Sequence, residues 1–294
     1  MREIFAGLTI FFMWLLHWLP LPLQAAIGNV LGTLLYALAG RRRRIVHTNL
    51  RLCFPELGAR ERGQLARRHV RLVMRCFLEH GLLWWASEAR LRRLIRCEGF
   101  DNLQRELDAG QAVVMLAPHF IGLDQGGAGF SMHFQGSAMY AHQKIRLLDA
   151  LVLRGRQRFN APLLLARQDG LRAAVKAIRK GLPFYYLPDM DYGAETAVFV
   201  PFFGVPAATT TGLSRLVQLA HAKVIPLVTE VLPWGRGYVV RMEPAWTDFP
   251  TPDVEADTRR MNAWLESRIR PMPQQYYWVH RRFKTRPPGE PRIY

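Results

Sequence analysis

The stretch Ala112-Val-Val-Met-Leu-Ala-Pro-His-Phe-Ile-Gly-Leu-Asp124 limits the fold more than any other part of the chain, because residues 113–117 form a compact, partly β-branched apolar run closed by Pro118. A run this short, with a proline stop, predicts a buried strand. Gly122, Gly126, Gly127 and Gly129 then loosen the chain. On a continuous helix, five residues rotate a side chain by about 140°, so His119 and Asp124 would not share a face. A strand end leading into the first turn of a helix removes that difficulty: His119 leaves the strand and Asp124 reaches back from the helix start. The carboxylate would then keep one imidazole nitrogen protonated and leave the other free to take a proton. A core histidine bonded to a nearby acid is the competing use of the same pair.

Helical and strand patterns alternate along the rest of the chain. Over 61–86, Leu65, Val70, Leu72, Val73, Phe77, Leu78 and Leu82 recur at helical spacing and predict a long amphipathic helix, with Trp84 and Trp85 serving either the core or a membrane interface. Residues 137–141, 184–187 and 224–231 read as strands, and 238–242 as a later, antiparallel one. Residues 147–159, 171–180, 211–220 and 258–269 read as helices. Strands alternating with helices predict an α/β sandwich, a mostly parallel central sheet flanked by helices. A chain of 294 residues that is 50% hydrophobic can bury a substantial core, and 45–294 reads as one catalytic domain without repeats or linkers.

Residues 4–19 are apolar apart from Thr9 and His17, Pro20 and Pro22 interrupt, and a second apolar stretch over 23–39 runs into Arg41-Arg-Arg-Arg44. Residues 1–44 therefore read as an N-terminal membrane anchor with a basic flank. The first stretch falls slightly short of the roughly twenty residues of a span, so it either crosses with help from its flanks or lies re-entrant. Cleavage near Gln24-Ala-Ala26 fits poorly, since only Arg2, beside Glu3, charges the front and the apolar character continues. The four arginines favour keeping this flank in the cytoplasm, near anionic lipid heads.

The formal charge of +17 implies an anionic partner, and it is built from thirty-five arginines and five lysines. Arginine's planar fork suits phosphate and carboxylate. Nucleic acid is disfavoured by the lack of zinc-finger spacing, an aromatic ribonucleoprotein motif or a basic region with heptads. Cys53, Cys76 and Cys97, odd in number and far apart, argue against a disulfide framework or zinc site and fit a reducing compartment. No metal and no cofactor is expected.

The His119-x-x-x-x-Asp124 box after an apolar strand resembles the lysophospholipid acyltransferase superfamily. Further segments narrow the resemblance to the late (secondary) lipid A biosynthesis acyltransferases of Gram-negative bacteria: Ile45-Val-His-Thr-Asn-Leu-Arg-Leu-Cys-Phe-Pro-Glu56; Arg154-Gly-Arg-Gln-Arg-Phe-Asn160; Leu187-Pro-Asp-Met-Asp-Tyr-Gly193 with Val198-Phe-Val-Pro-Phe-Phe-Gly204 and Ala208-Thr-Thr-Thr-Gly212; and Gln275-Tyr-Tyr-Trp-Val-His-Arg-Arg-Phe-Lys-Thr-Arg-Pro287. They fall in the family's order and cover almost the whole chain. Two departures stand out: Asp124 replaces the glutamate that many of these enzymes carry, and Tyr140-Ala-His-Gln143 replaces a Tyr-Arg-Pro sequence.

The resemblance implies transfer of a fatty acyl chain from acyl carrier protein to a hydroxyl of a 3-hydroxyacyl chain on a Kdo-bearing lipid A precursor, at the cytoplasmic face of the inner membrane and against its lipids. His119, oriented by Asp124, would be the general base, and no covalent enzyme intermediate would form. Arg156 aligns with an arginine that the family needs and Asp189 with a required acid; Arg154, Arg158 and Asp191 accompany them. Arg281 and Arg282, beside Tyr276, Tyr277 and Trp278, would meet lipid head groups, unless this segment is simply a structural tail. A serine hydrolase would need a nucleophile elbow, which Gly129-Phe-Ser-Met-His133 does not supply. A lysophospholipid or another glycolipid is the alternative acceptor, and a non-catalytic membrane-anchored polyanion-binding protein is the alternative of another class.

Overall fold

The computed structural model describes residues 2–166 and 170–294. The chain opens with α1 (Arg2–His17) and α2 (Leu21–Leu38), parted where Pro20 and Pro22 set the entry of the second helix. They lead into α3 (Gly40–Cys53) and the long α4 (Ala59–Trp85), whose first turn is capped by the Glu61 carboxylate accepting from Gly58 N at 2.7 Å. Most of its expected apolar stripe is buried, with Leu65, Val70, Leu78 and Leu82 inside, Leu72 and Val73 half-buried, and Phe77 exposed. Trp84 is buried too, and Trp85 is half-buried against His17.

Alpha-2 is long and apolar enough to cross a membrane, whereas α1 falls short of that length. Both expose apolar side chains, including Phe5, Leu8 and Phe11 on α1 and Leu23, Val30 and Leu34 on α2, and Trp18 between them is exposed as well. The anchor is nevertheless not separate from the rest. A Cβ on Gly28 or Gly32 would lie 2.6 Å from Arg75 Cα or 2.5 Å from Arg71 Cα, so only glycine lets α2 lie this close to α4. The expected boundary at 44/45 falls inside the continuous α3.

A seven-stranded sheet follows in the order β1-β9-β8-β2-β5-β3-β4. It comprises β1 (Ile95–Glu98), β2 (Ala112–Leu116), β3 (Ser137–Tyr140), β4 (Leu163–Ala166), β5 (Phe184–Tyr186), β8 (Ala222–Val231) and β9 (Tyr238–Met242). Only the β8–β9 pairing is antiparallel, as the sequence pattern predicts. A separate antiparallel hairpin, β6 (Ala197–Phe202) and β7 (Val205–Thr210), projects from the β5–β8 connection. The remaining helices are α5 (Glu88–Leu94), α6 (Phe100–Asp108), α7 (Leu123–Ser131), α8 (Arg146–Arg156), α9 (Gly170–Arg179), α10 (Gly212–Ala220) and α11 (Val254–Ile269). Strands β1 and β4 and the hairpin lie outside the sequence-based expectation.

The continuous apolar run of β2 is explained by burial on both faces. Val113, Met115 and Ala117 pack into a cluster with α1, α4 and α7, whereas Val114 and Leu116 pack with Ala174 and Ile178 of α9 and Leu213, Leu216 and Val217 of α10. A third cluster joins Val46 and Leu50 of α3, Phe202 of the hairpin, Leu265 of α11 and the C-terminal Trp278 and Phe283. This layer holds the C-terminal segment against the carboxyl ends of the central strands.

Candidate active site

Parallel strands β2 and β5 are neighbours with Leu116 opposite Tyr186, and Ala117 N donates to Tyr186 O at 2.9 Å. Continuing both chains by the same number of residues sets His119 beside Asp189, at the strand ends where open α/β sheets place their ligands. The carboxylate is bonded twice: Oδ2 accepts from the His119 backbone N–H at 2.9 Å and Oδ1 from the ring Nδ1 at 2.7 Å. Asp189 is buried. Burial alone would raise its carboxyl, but the His119 ring and backbone bonds outweigh it and hold Asp189 below the ordinary carboxylate range. A carboxylate at Nδ1 fixes the proton there and leaves the Nε2 lone pair outward; among the described residues Nε2 has no hydrogen bond.

The C-terminal segment pins this loop. Tyr277 N donates to His119 O at 3.0 Å and Ile121 N to Gln275 O at 2.7 Å, while Gln275 Oε1 accepts from Val231 N at 2.7 Å. Asn49, inside the α3 motif, donates at 2.7 Å to both Trp278 O and His280 O, which gives that distant motif its structural purpose.

Asp124 is not the partner of His119, contrary to the expectation from spacing. It stands in the first turn of α7, where its Oδ2 faces His80 Nε2 at 2.9 Å and its Oδ1 accepts from Arg156 Nη2 at 2.9 Å. The physical reason is sheet order: β5, next to β2, delivers its own carboxylate into line with His119, and Asp124 turns to α4 and α8 instead. Burial works against its charge, but Arg156 and His80 more than compensate and keep it strongly acidic. Arg156, at the end of α8, lies over the Tyr140 ring at 5.7 Å. It is preceded by Gly155, where a Cβ would come within 2.4 Å of the Trp84 ring. The only sequence trace of His80 is its place inside the amphipathic α4.

The other candidates separate into different places. Arg154 is exposed on α8. Arg158 is not free for substrate: it bonds Leu83 O and, at 2.6 Å, Ala86 O, and so ties the α8 exit to the end of α4. Asp191 is buried and clasped by the tail, accepting from Thr285 N at 2.7 Å, Thr285 Oγ1 at 2.8 Å and Gly193 N at 3.0 Å. Arg282 is 1% exposed and bonds Ala208 O at 2.8 Å and Thr209 Oγ1 at 2.7 Å, over the Phe202 ring. It cannot reach a lipid surface, because the C-terminal cluster encloses it together with Tyr276 and Trp278. Arg281 faces the Tyr294 ring at 5.9 Å. In the divergent segment, Tyr140 Oη and His142 Nδ1 both bond Asp149, which also accepts from Gln143 N at 2.7 Å. The Tyr140 hydroxyl, Gln143 N–H and His142 hold the Asp149 carboxyl down to about 2. Among the described residues no three His, Cys, Asp or Glu side chains converge as a metal-binding group.

This arrangement can take a proton at His119 Nε2, while Arg156, held by the acid five residues after His119, presents a partly exposed guanidinium. Residues 1–285 match the family described as bacterial lipid A biosynthesis acyltransferase. The lipid A biosynthesis lauroyltransferase of Escherichia coli (strain K12) is 36% identical over 283 residues, covering 96% of this chain and 92% of that protein. The lipid A biosynthesis palmitoleoyltransferase of the same organism is 33% identical with the same coverage. Among solved structures, the 1-acyl-sn-glycerophosphate (LPA) acyltransferase of Thermotoga maritima aligns with a TM-score of 0.41 at 16% identity, over 82% of this chain and 95% of that one.

Proposed function

Because the chain belongs to the bacterial lipid A biosynthesis acyltransferase family, and is thereby an acyltransferase of lipid A biosynthesis, we propose that it moves a fatty acyl chain from acyl carrier protein to the 3-hydroxyl of a hydroxyacyl chain on a Kdo-bearing lipid A precursor. The observation that carries the mechanism is the His119 ring, with Nδ1 held by Asp189 at 2.7 Å and Nε2 without a hydrogen bond among the described residues.

Nε2 takes the hydroxyl proton as the oxygen attacks the thioester carbonyl carbon. The C–S bond then breaks, and the departing thiolate of the carrier recovers the proton from the imidazolium. Base assistance of this kind contributes about two to four orders of magnitude, with positioning and charge stabilisation adding the rest. Asp189, rather than Asp124, orients the base, and the protonated imidazole that forms is stabilised by the same carboxylate. Arg156, anchored by Asp124, keeps further N–H donors for a phosphate of the lipid or of the carrier's phosphopantetheine arm. The carrier is acidic, and a chain of charge +17 would attract it. The exposed apolar faces of α1 and α2 support an anchor over 1–44 in the inner membrane, with Arg41 to Arg44 and the catalytic domain on the cytoplasmic side.

The test is mass spectrometry of a tetra-acylated, Kdo-bearing lipid A precursor after incubation with membranes and acyl carrier proteins of several chain lengths. A gain of one acyl group that disappears in His119→Ala is the expected result. No gain with any donor, but acylation of a lysophospholipid, would replace the acceptor; a gain surviving in His119→Ala would remove His119 as base.

A further inference from the structure

His80 lies near the C-terminal end of α4, outside every motif of the sequence, yet it is bonded at both ring nitrogens. Nδ1 is 2.8 Å from Cys76 O, one turn back, and Nε2 is 2.9 Å from Asp124 Oδ2. A carbonyl and a carboxylate only accept, so each nitrogen must donate, which a neutral imidazole cannot do. Moving the proton to Asp124 instead would set a neutral acid against Arg156 Nη2, 2.9 Å from its other oxygen. The geometry therefore favours imidazolium, carboxylate and guanidinium in a row.

The charged and titratable groups around the ring agree. Asp124 of α7 favours the proton and Arg156 of α8 opposes it; on α4, Cys76 offers its carbonyl, and the buried Glu79 is held by Arg75 at 2.6 Å and by Tyr238 of β9. Tyr185 of β5 lies in the field of Asp124. Burial pulls the His80 ring down, but the bond and charge of Asp124 prevail, leaving it above its ordinary 6.5. One turn on, the Trp84 ring lies tilted against the His80 ring at 5.9 Å and meets Gly155. A single turn of α4 thus grips Arg156 twice, through the backbone beside it and through the carboxylate that binds its guanidinium.

We propose that His80 is a positioning residue of the acyl-transfer site, held as an imidazolium that shares Asp124 with Arg156 and keeps Arg156 turned toward an anionic group of the substrates. This rests on the acyl-transfer reading above. With His80 protonated, the three groups carry one net positive charge toward the substrate. With His80 neutral they carry none, and Arg156 is drawn onto Asp124. Because the ring's pKa is raised by folding, the arrangement is complete below 6.5 and is lost as pH rises through the raised value.

The experiment compares full-length wild type, His80→Gln and His80→Asn in membranes, with kcat and KM measured from about pH 6 to about pH 9. Wild type should lose kcat/KM on the alkaline side through a rising KM for the anionic substrates. His80→Gln should run roughly tenfold lower at neutral pH, as loss of a charge-assisted bond predicts, and should lack that alkaline loss. An unchanged alkaline limb in His80→Gln would overturn the proposal. A second reading needs no substrate: ¹⁵N-histidine spectra of the enzyme in detergent should contain a doubly protonated ring at neutral pH that is absent from either variant. If the missing ring is a neutral one, the proposal fails whatever the kinetics. Wild type that transfers no acyl group at any pH faults the reaction reading instead, and the spectra still decide the state of His80.

Discussion

Asp189→Asn is the sharpest perturbation of the proposed base, since it changes one atom of a buried side chain and little else. Asp189 accepts two hydrogen bonds, from the His119 backbone N–H at 2.9 Å and from Nδ1 at 2.7 Å. An amide has one accepting oxygen and one donating nitrogen. If the oxygen met Nδ1–H, the amide NH2 would point at the His119 backbone N–H, which has no other proton state to adopt. The resulting clash of donors costs about 1–3 kcal/mol. The opposite orientation removes that conflict, because the ring can move its proton to Nε2 and let Nδ1 accept. The amide therefore selects the tautomer in which Nε2 already carries a proton and cannot take one from a hydroxyl. The expected fall in kcat is on the order of 10³- to 10⁴-fold, the scale found when the same substitution is made in a serine-protease triad. That corresponds to roughly 4–5.5 kcal/mol of barrier. The assay is acyl transfer to the lipid A precursor at saturating donor, with thermal unfolding of the purified variant as the control for folding. Activity within about tenfold of wild type in a variant of unchanged melting temperature would refute the His119–Asp189 assignment.

Arg282→Ala should destabilise the protein by about 2–4 kcal/mol, by opening a cavity beneath Phe202 and stripping Ala208 O and Thr209 Oγ1 of their donor, with KM for the carrier unchanged. Denaturant unfolding measures the first effect; a raised KM at unchanged stability would return Arg282 to the substrate surface. Acid should weaken the fold through His69, which is fully buried, donates from Nδ1 to Gln274 O at 3.0 Å and has its pKa lowered by burial to about 4. The folded state then binds fewer protons than the unfolded one, so this stabilisation is present above 6.5 and is lost as pH falls toward about 4, a total of about 3 kcal/mol. Unfolding midpoints of His69→Gln should depend less on pH over this range than those of wild type.

The sheet was legible because its central strands bury both faces and so appear as largely apolar runs; β2, β5 and β8 each fall within a residue or two of the pattern. Beta-4 is an edge strand of four residues, Leu163–Ala166, and β1 is also short and at an edge, so neither carries enough periodicity to declare itself. The hairpin was hidden for another reason: Pro201 and Pro206 sit inside its two strands, facing each other in register, where proline argues against a strand unless the strand lies at an edge. The site divides along the same lines. His119 could be placed because it follows the strongest strand in the chain, and Asp189 because it follows another. Their partnership could not, since it depends on β5 lying next to β2, and strand order is set by packing among segments far apart in sequence. Spacing along the chain made Asp124 the natural partner, yet a five-residue separation only brings two groups to the same end of a sheet. It does not decide which neighbour each one meets. Once β5 fills the place beside His119, Asp124 must find cations elsewhere, and α4 and α8 supply them in His80 and Arg156. The acid of the box is thus more informative about the arginine it holds than about the histidine five residues before it.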